Sequence, residues 1–149
     1  MEILTKNQNK TKKAGENLAK KILKEPIRKK ALVLALEGDL GGGKTTFLQG
    51  FAKGLGVKSR ILSPTFVLMK RFPIQKRNSG FKNFYHFDCY RIRDQKDLSS
   101  LGFKKIISEP SNIVAIEWAE RVKKALPSDS SILKFEFIDE TTRKIFLKK

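Results

Sequence analysis

The feature that most constrains this chain is the octet Gly38-Asp39-Leu40-Gly41-Gly42-Gly43-Lys44-Thr45, together with what stands on either side of it. The octet fits G-x-x-x-x-G-K-[ST] at every position. Each position has a physical task. Glycines let backbone N–H groups turn inward and line a concave nest for phosphate oxygens. The Lys44 ammonium reaches the β- and γ-phosphates as a point charge, and the Thr45 hydroxyl has the chemistry of a Mg²⁺ ligand. Upstream, Ala31-Leu32-Val33-Leu34-Ala35-Leu36 is an uninterrupted apolar run, as a strand buried on both faces of a parallel sheet reads. Downstream, Phe47, Leu48, Phe51 and Leu55 recur at helical spacing, with Gly56 as a stop. Strand, glycine loop and helix in this order bring a positive helix N-terminus to the phosphate site. The chain is therefore expected to be built around a nucleoside triphosphate.

Composition narrows the setting. A length of 149 residues suits one domain with an adequate core. The longest apolar run is too short to span a bilayer, and Met1-Glu2-Ile3-Leu4-Thr5-Lys6 leads into polar residues without a signal-peptide pattern. A single cysteine and a single histidine exclude an internal disulfide and argue against a zinc site. The expectation is a cytoplasmic protein with no membrane contact. The net charge of +17 favours polyanions such as nucleotides or RNA, or else records a lysine-rich bias spread over a solvated surface. Basic residues are densest at 6–30 and again at Lys70, Arg71, Lys76, Arg77 and Lys82.

The remaining elements follow from pattern. Residues 5–13 are polar and read as loose, and 15–23 as a short helix ended by Pro26. Residues 61–66 form a loop around Pro64. Residues 67–69 and 81–90 read as strands joined by the turn-rich segment 75–80. Residues 94–101 read as helix, 113–116 as a second buried strand, and 120–126 as a short helix stopped by Pro127. Residues 132–138 and 144–147 complete a hairpin. The expected fold class is α/β: a P-loop NTPase-like three-layer sandwich with a mixed, mainly parallel sheet and antiparallel hairpin additions.

Three further segments can carry chemistry. Glu117 ends the apolar run Ile113-Val114-Ala115-Ile116, which puts a carboxylate at the C-terminal edge of the sheet, where α/β folds bind ligands. There it can bind Mg²⁺ directly or through water, or polarise an attacking water. In His86-Phe87-Asp88-Cys89-Tyr90-Arg91, an extended backbone turns His86, Asp88 and Tyr90 to one side and Phe87 and Cys89 to the other. Asp88 is then either a residue that orients water or holds the metal's water shell, or the polar side of a half-buried strand. Ser63-Pro64-Thr65-Phe66 follows the P-loop helix, where Thr65 is either a γ-phosphate sensor or part of a proline turn. Trp118, the sole tryptophan, belongs to the core or to the nucleotide or partner surface.

Taken together, Glu37 to Thr46, Ser63-Pro64-Thr65-Phe66, His86-Phe87-Asp88-Cys89-Tyr90-Arg91 and Ile116-Glu117-Trp118-Ala119-Glu120-Arg121 resemble the bacterial TsaE family in order and spacing, over about residues 11–147. The chain is expected to be a single P-loop ATPase domain over 1–149, with residues 1–10 flexible. The resemblance implies ATP and Mg²⁺ as cofactors and slow hydrolysis by the isolated protein. It implies assembly with TsaB- and TsaD-type proteins in making threonylcarbamoyladenosine at position 37 of tRNA, with tRNA met indirectly or by weak contact with the basic surface. Carried over by position, Gly38, Asp39, Leu40, Gly41, Gly42, Gly43, Lys44, Thr45, Thr46 and Trp118 bind the nucleotide and Thr45 and Glu117 hold the metal. Lys44, Thr65, Asp88 and Glu117 are the catalytic set. Gly42 stands where the family commonly has Ala or Ser, and Cys89 where an aliphatic residue is usual. Two other readings remain: a small-molecule or nucleoside kinase with the basic stretch 70–82 as a lid, and a non-enzymatic nucleotide-gated binding module.

Overall fold

The structure is a computed structural model that describes residues 1–38, 41, 43–58, 61, 68–76 and 78–148. In chain order its elements are β1 (Glu2–Thr5), α1 (Gln8–Leu23), β2 (Leu32–Gly38), α2 (Lys44–Gly54), β3 (Met69–Pro73), β4 (Asn83–Asp88), α3 (Lys96–Ser99), α4 (Phe103–Ser108), β5 (Asn112–Glu117), a 3-10 helix (Ala119–Ala125), β6 (Ser131–Phe137) and β7 (Arg143–Lys148). The two continuous apolar runs become neighbouring parallel strands, with Leu32 in register with Ile113 and Leu36 with Glu117. Burial on both faces is why these strands carry no polar alternation.

One seven-stranded sheet runs β1-β7-β6-β2-β5-β4-β3. The four central strands β6, β2, β5 and β4 are parallel, while β1 and β7 on one flank and β3 on the other are antiparallel additions. Helices α1 and α2 cover one face around Leu34, Leu48, Phe51, Phe84 and Ile113. Helices α3, α4 and the 3-10 helix cover the other around Val33, Phe87, Phe103, Val114 and Val122. This is the three-layer α/β sandwich that the sequence predicts. No helix among the described residues is long and apolar enough to cross a membrane.

The N-terminal third departs from the sequence reading. In place of a loose segment at 5–13 and a helix at 15–23, β1 pairs with β7, and α1 runs from Gln8 behind an N-cap in which the Asn7 side chain accepts from the Lys10 N–H at 2.8 Å. Its inward residues are Thr11, Gly15, Ala19 and Ile22. Their spacing is helical, but most are small rather than apolar, so a hydrophobicity pattern does not find them. The smallness has a cause in packing. A Cβ on Gly50 would lie 1.8 Å from the Lys12 carbonyl oxygen, and one on Gly15 2.1 Å from that of Phe47, so α1 and α2 touch backbone to backbone.

Smaller shifts have similar causes. The strand expected at 67–69 lies at Met69–Pro73, with Phe72 buried; Val67 is outside the described residues. Pro73 is tolerated because β3 is an edge strand. The basic stretch that a kinase would use as a lid thus contributes this edge. The helix expected at 94–101 shortens to Lys96–Ser99. Gly102, at φ +76°, ends this stretch as the sequence predicts and turns the chain into α4, a helix that the sequence reading leaves out. The segment expected as a short helix at 120–126 is a 3-10 helix with non-helical backbone at Val122.

The interhelical contact yields a prediction. Gly50→Ala improves helix propensity but drives a methyl group into the α1 backbone, so stability should fall by about 3 kcal/mol. Urea denaturation monitored by circular dichroism measures it; an unchanged midpoint would contradict the backbone contact.

Candidate functional site

Local sequence dictates how the phosphate loop begins and ends. Gly38 closes β2 at φ +135°, and a Cβ there would sit 2.3 Å from the Phe135 carbonyl oxygen, so only glycine fits. Gly43, at φ +95°, is the residue before α2, and Lys44 is the first residue of that helix. Backbone N–H groups at this end have no intrahelical acceptors and carry the positive end of the helix dipole. Asp39, Leu40 and Gly42 lie outside the described residues, as does Thr65.

Lys44 is buried, donates to the Gly38 carbonyl, and holds its Nζ 4.2 Å from the centroid of the Trp118 ring. Thr45 Oγ1 donates to Glu117 Oε1 at 2.9 Å. Glu117 comes from the end of β5 and is 2% exposed; its other oxygen, Oε2, lies 2.7 Å from His86 Nε2 of β4. Strand pairing explains the meeting. Odd-numbered residues of β5 and even-numbered residues of β4 point to the α2 face, and the pair is parallel with Asp88 in register with Glu117. His86 and Asp88 thus share a face, as the alternation predicts, yet both are buried rather than turned to solvent. Asp88 Oδ1 accepts from the Tyr90 N–H at 3.0 Å. Phe87 and Cys89 pack into the opposite core.

A cavity of about 490 Å³ collects Gly41, Gly43, Lys44, Thr45, Thr46, Glu117 and Trp118 on one side and Asn7, Thr11, Glu140 and Arg143 on the other. Most of the sequence-predicted residues within the described set meet here. Asp88 sits behind, in the strand register beside Glu117. Trp118 adopts left-handed backbone at φ 58°, which carries its indole out of the strand line and over Lys44. Tyr90 packs against it at a tilt of 52°, with ring centroids 5.0 Å apart.

Sequence reasoning passed over several contributors. Arg143 of β7 donates from Nε to the Gly41 carbonyl at 2.8 Å and also to the carbonyls of Asp139 and Thr142. Its turn is held by the Asp139 carboxylate, which accepts from the N–H groups of Thr141 and Thr142; those two hydrogen bonds hold its pKa below the ordinary value. Nothing local in the hairpin sequence marks Arg143, because its partner is 102 residues away. Glu120 accepts from the Gly38 N–H at 3.1 Å. His86 and Glu120 lie inside two segments that the sequence marks, but without assigned roles.

The donor set can be tested against a metal. Among the described residues no group of three His, Cys, Asp or Glu side chains could enclose an ion. Mg²⁺ asks for less: one or two protein oxygens beside substrate phosphates and water. The Thr45 hydroxyl and the Glu117 carboxylate, already in contact beside Lys44, fit that requirement.

Comparison with known proteins places the chain in a family. The sequence profile of the family described as "Threonylcarbamoyl adenosine biosynthesis protein TsaE" matches residues 5–145. The chain is similar to the tRNA threonylcarbamoyladenosine biosynthesis protein TsaE of Haemophilus influenzae, 33% identical over 85% of this chain and 75% of that protein. It is also similar to the Aquifex aeolicus protein of the same name, 35% identical over 97% of this chain and 92% of that protein. The crystal structure of Bacillus subtilis YdiB superposes with a TM-score of 0.66 at 28% identity, covering 97% of this chain and 82% of that one.

Cys89, beside the site, gives a prediction. Burial first, and the neighbouring Asp88 charge second, push its thiol up from 9.0 to about 12. It should be inert to Ellman's reagent at pH 8 in the folded protein and react once on denaturation. The thiol is neutral when protonated, so between pH 9 and about 12 the unfolded chain releases a proton that the folded chain keeps. Its stabilising contribution is whole below pH 9 and declines as pH rises through that window. Rapid labelling of the native protein would contradict the assigned burial.

Proposed function

The chain belongs to the TsaE family of tRNA threonylcarbamoyladenosine biosynthesis proteins, and on that premise we propose that it is the family's ATP-binding, slowly ATP-hydrolysing accessory subunit, acting in the cytoplasm as one P-loop domain with TsaB- and TsaD-type partners. The observation that carries this reading is the contact of Thr45 with Glu117 next to Lys44, in a single cavity at the C-terminal edge of the sheet. A hydroxyl, a carboxylate and an ammonium converge there on a loop whose glycines leave room for phosphate.

In this reading Lys44 moves from the Gly38 carbonyl onto the phosphates, and the α2 N-terminus adds its dipole. Bound Mg²⁺ supplies neutralisation of phosphate charge, with Thr45 and Glu117 as its protein ligands. His86 fixes the Glu117 carboxylate through Oε2 and leaves the Thr45-facing oxygen aimed at the cavity. Asp88, next to Glu117 in the strand register, orients water, and Thr65 senses the γ-phosphate. The indole of Trp118 covers the lysine and closes the site on the side of Tyr90. ATP turnover then times repeated cycles of the partner complex, and tRNA is met through those partners or by weak contact with the basic surface.

ATP turnover of Lys44→Ala, Asp88→Ala and Glu117→Ala, alone and with the TsaB- and TsaD-type partners, tests the assignment. Each variant should lose about 100-fold in rate, the scale of removing one preorganised charge partner. Chelation by EDTA should abolish wild-type turnover, and Mg²⁺ should restore it. Wild-type rates in all three variants would overturn the site. Association with the partners that is indifferent to ATP, ADP or neither would overturn the timing role.

A further inference from the structure

The end of β5 and the turn that follows it touch the phosphate loop and the start of α2 three times within four residues. Glu117 meets Thr45, Trp118 covers Lys44, and Glu120 reaches back to Gly38, the first residue of the loop. The first two contacts belong to the machinery described above; the third does not. Glu120 Oε2 accepts the Gly38 N–H at 3.1 Å, while the Gly38 carbonyl accepts the Lys44 ammonium. Both peptide groups that flank this glycine are therefore held by side chains. The other carboxylate oxygen, Oε1, is buried and has no hydrogen-bond partner among the described residues.

A buried carboxylate oxygen that finds no donor among the described residues carries a desolvation cost, because a buried acceptor loses its water. A surface glutamate in the same 3-10 helix would avoid the cost. A glycine-rich loop has the opposite difficulty: its conformational freedom must be lost whenever phosphate is bound. Fixing the loop at its first residue removes part of that loss before the ligand arrives, which is the general route by which preorganisation raises affinity.

We propose that Glu120 is a positioning residue for nucleotide binding, acting through its hydrogen bond to the Gly38 N–H and not through its charge. The proposal rests on the reading of the cavity as a nucleotide site.

The test is the Kd for ADP, measured by isothermal titration calorimetry on the full chain, for wild type, Glu120→Ala, Glu120→Gln, Glu120→Asp and Lys44→Ala. Glu120→Ala should bind about tenfold more weakly, equivalent to ~1.4 kcal/mol and close to the worth of one such hydrogen bond. Glu120→Gln, which keeps an acceptor at the same reach, should stay within about twofold of wild type. Glu120→Asp keeps the charge but is one methylene too short, so it should resemble Ala; it also serves if the Ala variant fails to fold. Wild-type affinity in both the Ala and Asp variants, or equal weakening in Gln and Ala, overturns the proposal. If Lys44→Ala loses ADP while the Glu120 variants do not, only the role of Glu120 fails. If the wild-type chain does not bind ADP, the nucleotide reading fails and the role of Glu120 falls with it.

Discussion

The buried carboxylate of Glu117 is the constraint on which the site depends. Two strands and a helix are joined through it: β5 carries it, β4 supplies His86 to one oxygen, and α2 supplies Thr45 to the other. A carboxylate in so dry a position is tolerable only when its oxygens are satisfied. The register of β4 on β5 and the depth at which α2 enters are therefore set together. A slip of one residue in β4 would turn His86 into the opposite core and leave Oε2 unpaired. The same arrangement leaves a hydroxyl and a carboxylate oxygen facing the cavity, which is the property a phosphate-bound metal requires.

The second constraint is the crossing of α1 and α2. Gly15, Gly50 and Gly54 let the two backbones meet, and so place the N-terminus of α1 beside the phosphate loop. Asn7 and Thr11 reach the cavity for this reason, and Thr11 also bonds the Thr5 hydroxyl at 2.7 Å, tying β1 to the same corner. From the far end of the chain, β7 brings Arg143 to the Gly41 carbonyl. The loop is thus braced by residues from both ends of the sequence as well as by the turn after β5. A small protein can hold a glycine-rich loop in this way without enclosing it in a larger domain.

These braces bear on catalytic character. The guanidinium of Arg143 is engaged with three backbone carbonyls, so its donors are directed at the loop's frame. Lys44 is sequestered by a carbonyl and an indole, and Trp118 in turn contacts the exposed Tyr90. These contacts hold the frame of the loop and its lysine in place from two sides. Tyr90, tilted against Trp118 and with Arg121 5.5 Å from its ring, links the lysine to the surface through a chain of ring contacts.

Much of this was legible in the sequence wherever the cause was local. The phosphate loop, its strand and helix, the buried strand that ends at Glu117, and the shared face of His86 and Asp88 all follow from glycine conformation, hydrophobic runs and the two-residue period of a strand. The start of α1 was not legible, because Thr11, Gly15 and Ala19 carry no apolar signature; they are small because another backbone lies against them. The pairing of β1 with β7, the helix α4, and the choice of His86 rather than solvent as the partner of Glu117 were equally hidden. So were Arg143 and Glu120, whose partners in the loop stand 102 and 82 residues away. Residue order sets which chemical groups are present and which local geometry each segment prefers. Which groups meet emerges with the folded packing, because a contact between distant residues is selected by packing and by the need to satisfy buried polar atoms, and neither is written in any single stretch of the chain.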